Sequence, residues 1–259
     1  MKELNAILTI AARDFTKLLR DRGRLIISFI FPLIFIGALG GGLQANIGKQ
    51  VGFNFLTFTF TGVLAQVLFQ STASGIISLI EDRANDFSQE IFVSPISRYS
   101  IIFGKILGET LVSLTQAIGV LVFGFIIGVP ISISQMLLFI PAALIACLFG
   151  GAFGTIVMAN LGNVRSANQI FPFLIFPQFF LSGVFNPIKD SPPILAILST
   201  LTPMTYPVDF LRGLYYAGSP EYDKVVLHPP IVDLAIMIGA FVIMLVVGTY
   251  LFVKNERNR

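Results

Sequence analysis

Tryptophan is absent from this 259-residue chain, cysteine and histidine occur once each, and charged residues make up only 12%. A single cysteine, Cys147, lying in an apolar run, excludes a disulfide framework and a thiolate metal site. A single histidine, His228, argues against a histidine-ligated metal, and no metal is expected. No Gly-x-x-x-x-Gly-Lys-Ser/Thr loop is present, because Gly104-Lys105 is followed by Ile106, so the chain carries no nucleotide-binding domain of its own. There is no His-Glu-x-x-His and no Gly-x-Ser-x-Gly in a strand-to-helix setting. No cofactor is therefore expected on this chain, and no catalytic residue. An ordinary soluble domain has about 25% charged residues. Here 55% of residues are hydrophobic and the mean hydropathy is +0.84. A soluble fold of this size cannot hide that much apolar surface, so the expected solvent is lipid.

What is present is a series of long apolar runs. A span needs about 20 apolar residues, and the runs place six at 25–43, 55–80, 101–128, 135–158, 169–184 and 231–253. The expected fold is therefore an all-α integral membrane protein with six transmembrane helices. Pro32 should kink the first span, and Pro172 and Pro177 should interrupt the short fifth one. Residues 1–24 carry six of the seventeen basic residues. Leu4, Ile7, Leu8, Ala11, Phe15, Leu18 and Leu19 recur there at helical spacing, which predicts an amphipathic helix lying on the membrane surface. A nucleic-acid-binding arm is disfavoured by Glu3, Asp14, Asp21 and the apolar stripe. The start is too long and mixed for a secretory signal.

Two stretches break the apolar pattern. The first, 81–98, is a polar insert with Glu81, Asp82, Arg83, Asp86, Glu90 and Arg98 around a short apolar knot of Ile91, Phe92 and Val93, stopped by Pro95. It reads either as a solvated connector or as a docking surface whose knot gains most when a partner covers it. The second, 185–230, contains Asn186, Pro187 and Pro203, an apolar piece too short to span, and a cluster of tyrosines. Such a piece is expected to be re-entrant or interfacial. Asp209 and Arg212 within it are expected to form an i, i+3 ion pair.

Polar groups inside the spans are few. Gln66 and Gln70 share one helix face at i, i+4 and read either as interhelical glue or as substrate contacts. Phe69 and Gln116 are candidate neighbours on the same pathway. Lys105 and Glu109, also at i, i+4, are expected to pair with each other near the headgroups, with a proton relay as the other reading. Within the expected spans, four Gly-x-x-x-Gly pairs (Gly37/Gly41, Gly104/Gly108, Gly124/Gly128 and Gly150/Gly154) permit close helix approach. Six spans leave both termini on one side. Thirteen of the seventeen basic residues fall on that side, including the tail 254–259, against Lys49, Lys189, Arg212 and Lys224 on the other. The positive-inside rule then puts the termini and the insert in the cytoplasm.

The stretch Gln89-Glu-Ile-Phe-Val-Ser-Pro-Ile-Ser-Arg98, followed by Ile-Ile-Phe-Gly-Lys105, resembles the loop between the second and third spans of ABC-2 type permeases. The stretch Leu181-Ser-Gly-Val-Phe-Asn-Pro-Ile, with Thr202-Pro-Met-Thr-Tyr-Pro-Val-Asp-Phe-Leu-Arg-Gly-Leu-Tyr215, resembles the same family's segment after its fifth span. The resemblance implies a permease subunit of an ATP-binding-cassette exporter in a prokaryotic cytoplasmic membrane. It implies partners too: two copies of a separate ATPase carrying ATP and Mg, and a second permease subunit. It further implies that residues 86–95 form a coupling element on that ATPase, with Ile91, Phe92 and Val93 as anchors. Residues 185–215 would be short extracellular re-entrant helices. The polysaccharide exporters of the family tend to carry Trp, which is lacking here, and the second span, Thr61-Gly-Val-Leu-Ala-Gln-Val-Leu-Phe-Gln70, is similar to the drug-resistance branch. A lipophilic small molecule or lipid is thus the implied cargo. A lipid-linked polysaccharide exporter, an ATP-independent secondary transporter or channel, and a membrane scaffold are the alternatives. No nucleic acid is implied.

Overall fold

The structure, a computed structural model, describes residues 2–80, 96–161, 163–189 and 191–257, and every regular element among them is a helix. In chain order these are α1 (Lys2–Arg20), α2 (Arg22–Ile34), a π-helical segment (Phe35–Gly40), α3 (Gly41–Val51), α4 (Phe55–Gly75), α5 (Arg98–Ile126) and α6 (Ile133–Ala159). They are followed by α7 (Val164–Leu181), α8 (Pro193–Leu201), α9 (Thr205–Tyr215), α10 (Tyr222–Val225) and α11 (Pro230–Arg257). Residues 81–95, which hold most of the polar insert, lie outside the described part.

Polar residues set the helix starts. Asn54, Ser97, Ser132 and Asn163 each accept a hydrogen bond from a backbone N–H of the first turn that follows, at α4, α5, α6 and α7. These bonds satisfy amides that have no partner within the helix. Ser132 and Gln135 form a reciprocal capping box. Gly52, at φ 72°, ends α3 in the left-handed conformation that glycine adopts without steric cost.

Among the described residues, five helices are long and apolar enough to cross a membrane: Ile26–Gly48, Phe55–Ile80, Arg98–Ile126, Ile133–Ala159 and Tyr222–Asn255. The pair α8 and α9, bent by 97°, makes a sixth if it counts as one broken span. Pro32 does not break the first span. The helix instead widens into the π segment just beyond it, a common response to an interrupted i→i−4 ladder. The expected fifth span, 169–184, corresponds to α7, which runs through both Pro172 and Pro177. It is not one of the five, because Arg165, Asn168, Gln169 and Gln178 dilute its apolar length.

The bundle is built around α4. Of its apolar window 78% is buried, against 17% in the first and last spans. α5, α6 and α9 surround it. Phe69 on α4 is wholly buried, with its ring 5.7 Å from Phe149 and 5.4 Å from Phe153 of α6. The two backbones can come this close because a Cβ on Gly150 or Gly154 would fall 2.3 or 2.4 Å from the carbonyl oxygens of Phe69 and Ala73. The outer helices leave Ile26, Ile27, Ile34, Val242, Ile243 and Tyr250 exposed. In water such faces would be costly, and in lipid they are matched to their solvent.

Candidate functional site

α1 is fixed along the first half of α5. Gly104 and Gly108 present a bare strip on which the backbone of Ile7 and Ala11 rests, with a hypothetical Cβ falling 3.1 Å from either Cα. This contact buries Asp14, whose carboxylate lies 2.8 Å from Lys105 Nζ and 2.9 Å from Arg13 Nη2. The side chains of Asp14 and Lys105 are only 3% and 2% exposed. The sequence expects Lys105 to pair with Glu109 near the headgroups. The structure gives it a partner from α1 instead, shielded from solvent by the helix contact. Glu109 is also buried, accepts a hydrogen bond from Ser78 Oγ at 3.3 Å, and lies against Gly75, where any side chain would collide with its carboxylate. At the start of α5, Glu3 accepts hydrogen bonds from Ser97 N at 3.2 and 3.3 Å. The exit of the insert is therefore tied to the first turn of α1. Arg98, half-buried, opens α5 at this junction. The remaining candidate docking residues, Glu81, Asp82, Arg83, Asp86, Glu90, Ile91, Phe92, Val93 and Pro95, fall outside the described residues.

The four candidate pathway residues separate. Gln66 Nε2 donates to Gln70 Oε1 at 3.2 Å, while the buried Gln66 Oε1 has no partner. Gln70 opens into a groove of about 330 Å³ between α4 and α7, lined also by Ser74, Asn168, Phe171, Phe176 and Phe179. Phe69 faces α6 in the core and does not reach that groove. Gln116 is buried on α5 and does not line it either. Thr72 and Ser113, hydroxyls 2.7 Å apart, join α4 to α5. Cys147 is fully buried on α6.

At the opposite end of α4, the bent pair forms a cap. Its bend, at Thr202, Pro203 and Met204, is held by Thr205 Oγ1 donating to Ser199 O at 2.7 Å and by Gln178 accepting from Met204 N at 3.3 Å. Asn186 is exposed and Pro187 half-buried in the loop that leads to it. Asp209 and Arg212 do not form the expected ion pair, because each is drawn to backbone. Arg212 Nη2 donates to Gly183 O at 2.9 Å and Phe58 O at 3.3 Å, and the guanidinium sits 3.7 Å above the Phe58 ring. Asp209 accepts from Leu227 N at 2.8 Å and His228 N at 2.7 Å. Tyr215 donates to Pro130 O at 2.5 Å, and Gln135 Nε2 donates to Tyr215 O at 2.7 Å, so the cap also holds the turn between α5 and α6. Burial drives the Tyr216 phenol above its ordinary range, and the Arg212 charge opposes the shift.

Sequence reasoning missed Asp14 as the partner of Lys105, and His228 and Asp233 as neighbours of Asp209. The signal for the first was the Gly104/Gly108 pair, which marks a close helix approach without saying which helix approaches.

Comparison with known proteins gives a consistent result over the length of the bundle. The model of the family described as ABC-2 type transporter matches residues 5–216. The ycf38 transport permease of Cyanophora paradoxa is 27% identical over an alignment that covers 97% of this chain and 89% of its own. Nodulation protein J of Rhizobium meliloti (strain 1021) is 23% identical, with 88% and 83% covered. ABC transporter G family member 20 of Dictyostelium discoideum is 23% identical over 63% of this chain, and the match covers 23% of that longer protein.

Proposed function

Because the chain belongs to the ABC-2 type transporter family, and so is a multi-pass membrane permease of an ABC transporter rather than an enzyme in itself, we propose that it exports a lipophilic small molecule or a lipid. The family implies an ABC ATPase as partner. In our reading two ATPase subunits, carrying ATP and Mg, dock on residues 81–98 of two permease subunits in a prokaryotic cytoplasmic membrane. Both termini face the cytoplasm, α1 lies along the membrane surface, and the α8–α9 cap is re-entrant on the outer side.

The observation that carries this reading is the junction of α1, α5 and the insert. Glu3 holds Ser97, and Asp14 holds Lys105. A displacement delivered to the insert would therefore move α1 and α5 as one body. Rigid rocking of this kind is how membrane transporters alternate access. The ATPase can drive it only by binding ATP more tightly in one of the two states. The Gln70 groove, apolar with a few amide groups, is suited to a cargo that is largely lipophilic.

The test is co-purification in detergent from native cells, followed by an ATP hydrolysis assay. An ATPase should accompany the wild-type chain and be lost with Phe92→Asp, which places a charge in a desolvated contact. A chain that purifies alone, or a Phe92→Asp variant that retains the ATPase and its transport, would refute the docking role of the insert.

A further inference from the structure

The groups that hold the cap to the last helix do not balance in charge. Asp209 comes from the middle of α9, Asp233 from the first turn of α11, and His228 from the segment that joins α10 to α11. Their ligand-type atoms all lie within 4.8 Å of one another. His228 Nδ1 is 3.4 Å from Asp209 Oδ2 and 3.2 Å from Asp233 Oδ1. Both carboxylates are buried, at 1% and 0% exposure. Asp209 is satisfied by two backbone N–H groups, but Asp233 Oδ2 is buried with no hydrogen-bond partner. Two buried carboxylates this close repel, and a buried polar atom with no partner is costly.

We propose that Asp209, His228 and Asp233 bind a divalent cation of the zinc class that fastens α9 to the start of α11. One imidazole and two carboxylates form a mixed nitrogen and oxygen set, which suits Zn²⁺, whereas Ca²⁺ and Mg²⁺ are held by oxygen alone. Zinc bonds to such ligands are about 2.0–2.2 Å long, so adjacent ligand atoms of a tetrahedral site stand roughly 3.4 Å apart. The two measured separations from His228 Nδ1 fall close to that value. The backbone donors on Asp209 are the outer support that orients a ligating carboxylate. His228 is 31% exposed, which leaves the fourth position open for water. Sequence reasoning discounted a metal because only one histidine exists, whereas here the fold supplies the other two ligands as carboxylates. The site does not depend on what the permease carries.

The test uses the full chain, purified in detergent without a histidine tag and treated with chelator. Zinc chloride is titrated in, bound metal is counted after dialysis, and the thermal unfolding midpoint is followed. The wild type should take up one zinc per chain and unfold at a higher temperature with zinc. His228→Gln and Asp233→Asn should each weaken binding at least about tenfold and lose the zinc-dependent rise. His228→Gln alters a partly exposed side chain, so it remains informative if Asp233→Asn fails to fold. Binding of equal strength in the His228→Gln variant, or no binding by the wild type, would overturn the site.

Discussion

Removing Lys105 leaves the buried Asp14 carboxylate to its remaining charged neighbour, the partly exposed Arg13, because the contact between α1 and α5 shuts Asp14 and Lys105 from solvent. Breaking one side of a buried ion pair costs about 3–5 kcal/mol, mostly from the charge left behind. Lys105→Met should therefore destabilise the chain, by less than that amount because Arg13 still faces the carboxylate, and the double variant Asp14→Leu/Lys105→Met should recover much of the loss. Unfolding of detergent-solubilised protein in a denaturing detergent series is the measurement. If the double variant is as unstable as Lys105→Met alone, the pair is not what Lys105 is for. Lys105 stood out in the sequence as a charge inside an apolar run, but it was expected near the headgroups rather than buried. Its partner was not legible, because pattern reading reaches neighbours three or four residues away and Asp14 belongs to another helix. The same limit hid the company of Asp209. Its carboxylate was expected to turn to Arg212 one turn along, but the unsatisfied amides of Leu227 and His228 and the carbonyls of Gly183 and Phe58 claimed the two side chains separately.

At the scale of helices, glycine marks where backbones meet. The Gly150/Gly154 pair seats α4 and the Gly104/Gly108 pair seats α1, so two of the four pairs in the expected spans bring backbones together inside one chain. A backbone carbonyl cannot swing aside as a flexible side chain can. Gly150→Ala and Gly154→Ala should each lower stability by about 1–3 kcal/mol, the range for overpacking a tight core. Gly41→Ala, where nothing lies within 4 Å, should be neutral or stabilising by up to about 1 kcal/mol. Thermal midpoints of the three variants give the comparison, and equal midpoints for Gly41→Ala and Gly150→Ala would contradict this packing. The start of α6 was legible, since the expected span 135–158 begins within two residues of the helix at Ile133. The path of α7 was less so. Pro172 and Pro177 suggested an interruption, yet the helix passes through both, and its polar first turn rather than its prolines keeps it from the length of a span.

For the whole molecule, the few charges and long apolar runs made a helical membrane bundle readable before any coordinates. The five apolar helices follow from the same numbers. The central position of α4 did not, since it depends on which faces meet. Orientation rests on the distribution of basic residues and can be measured directly. Cys147 is buried, so an introduced thiol has little native background. In intact cells a membrane-impermeant maleimide should label Ala217→Cys and spare Lys254→Cys, with both labelled after lysis. The opposite pattern would invert the topology. The union of α1 with α5 also bears on how the chain is made. Lys105 leaves the ribosome long after Asp14, as part of the long apolar helix Arg98–Ile126. A helix carrying an uncompensated lysine partitions poorly into lipid. The first helix, made earlier and carrying the carboxylate, is thus an internal escort for α5, and the chain's order of synthesis delivers the counter-charge before the charge it must neutralise.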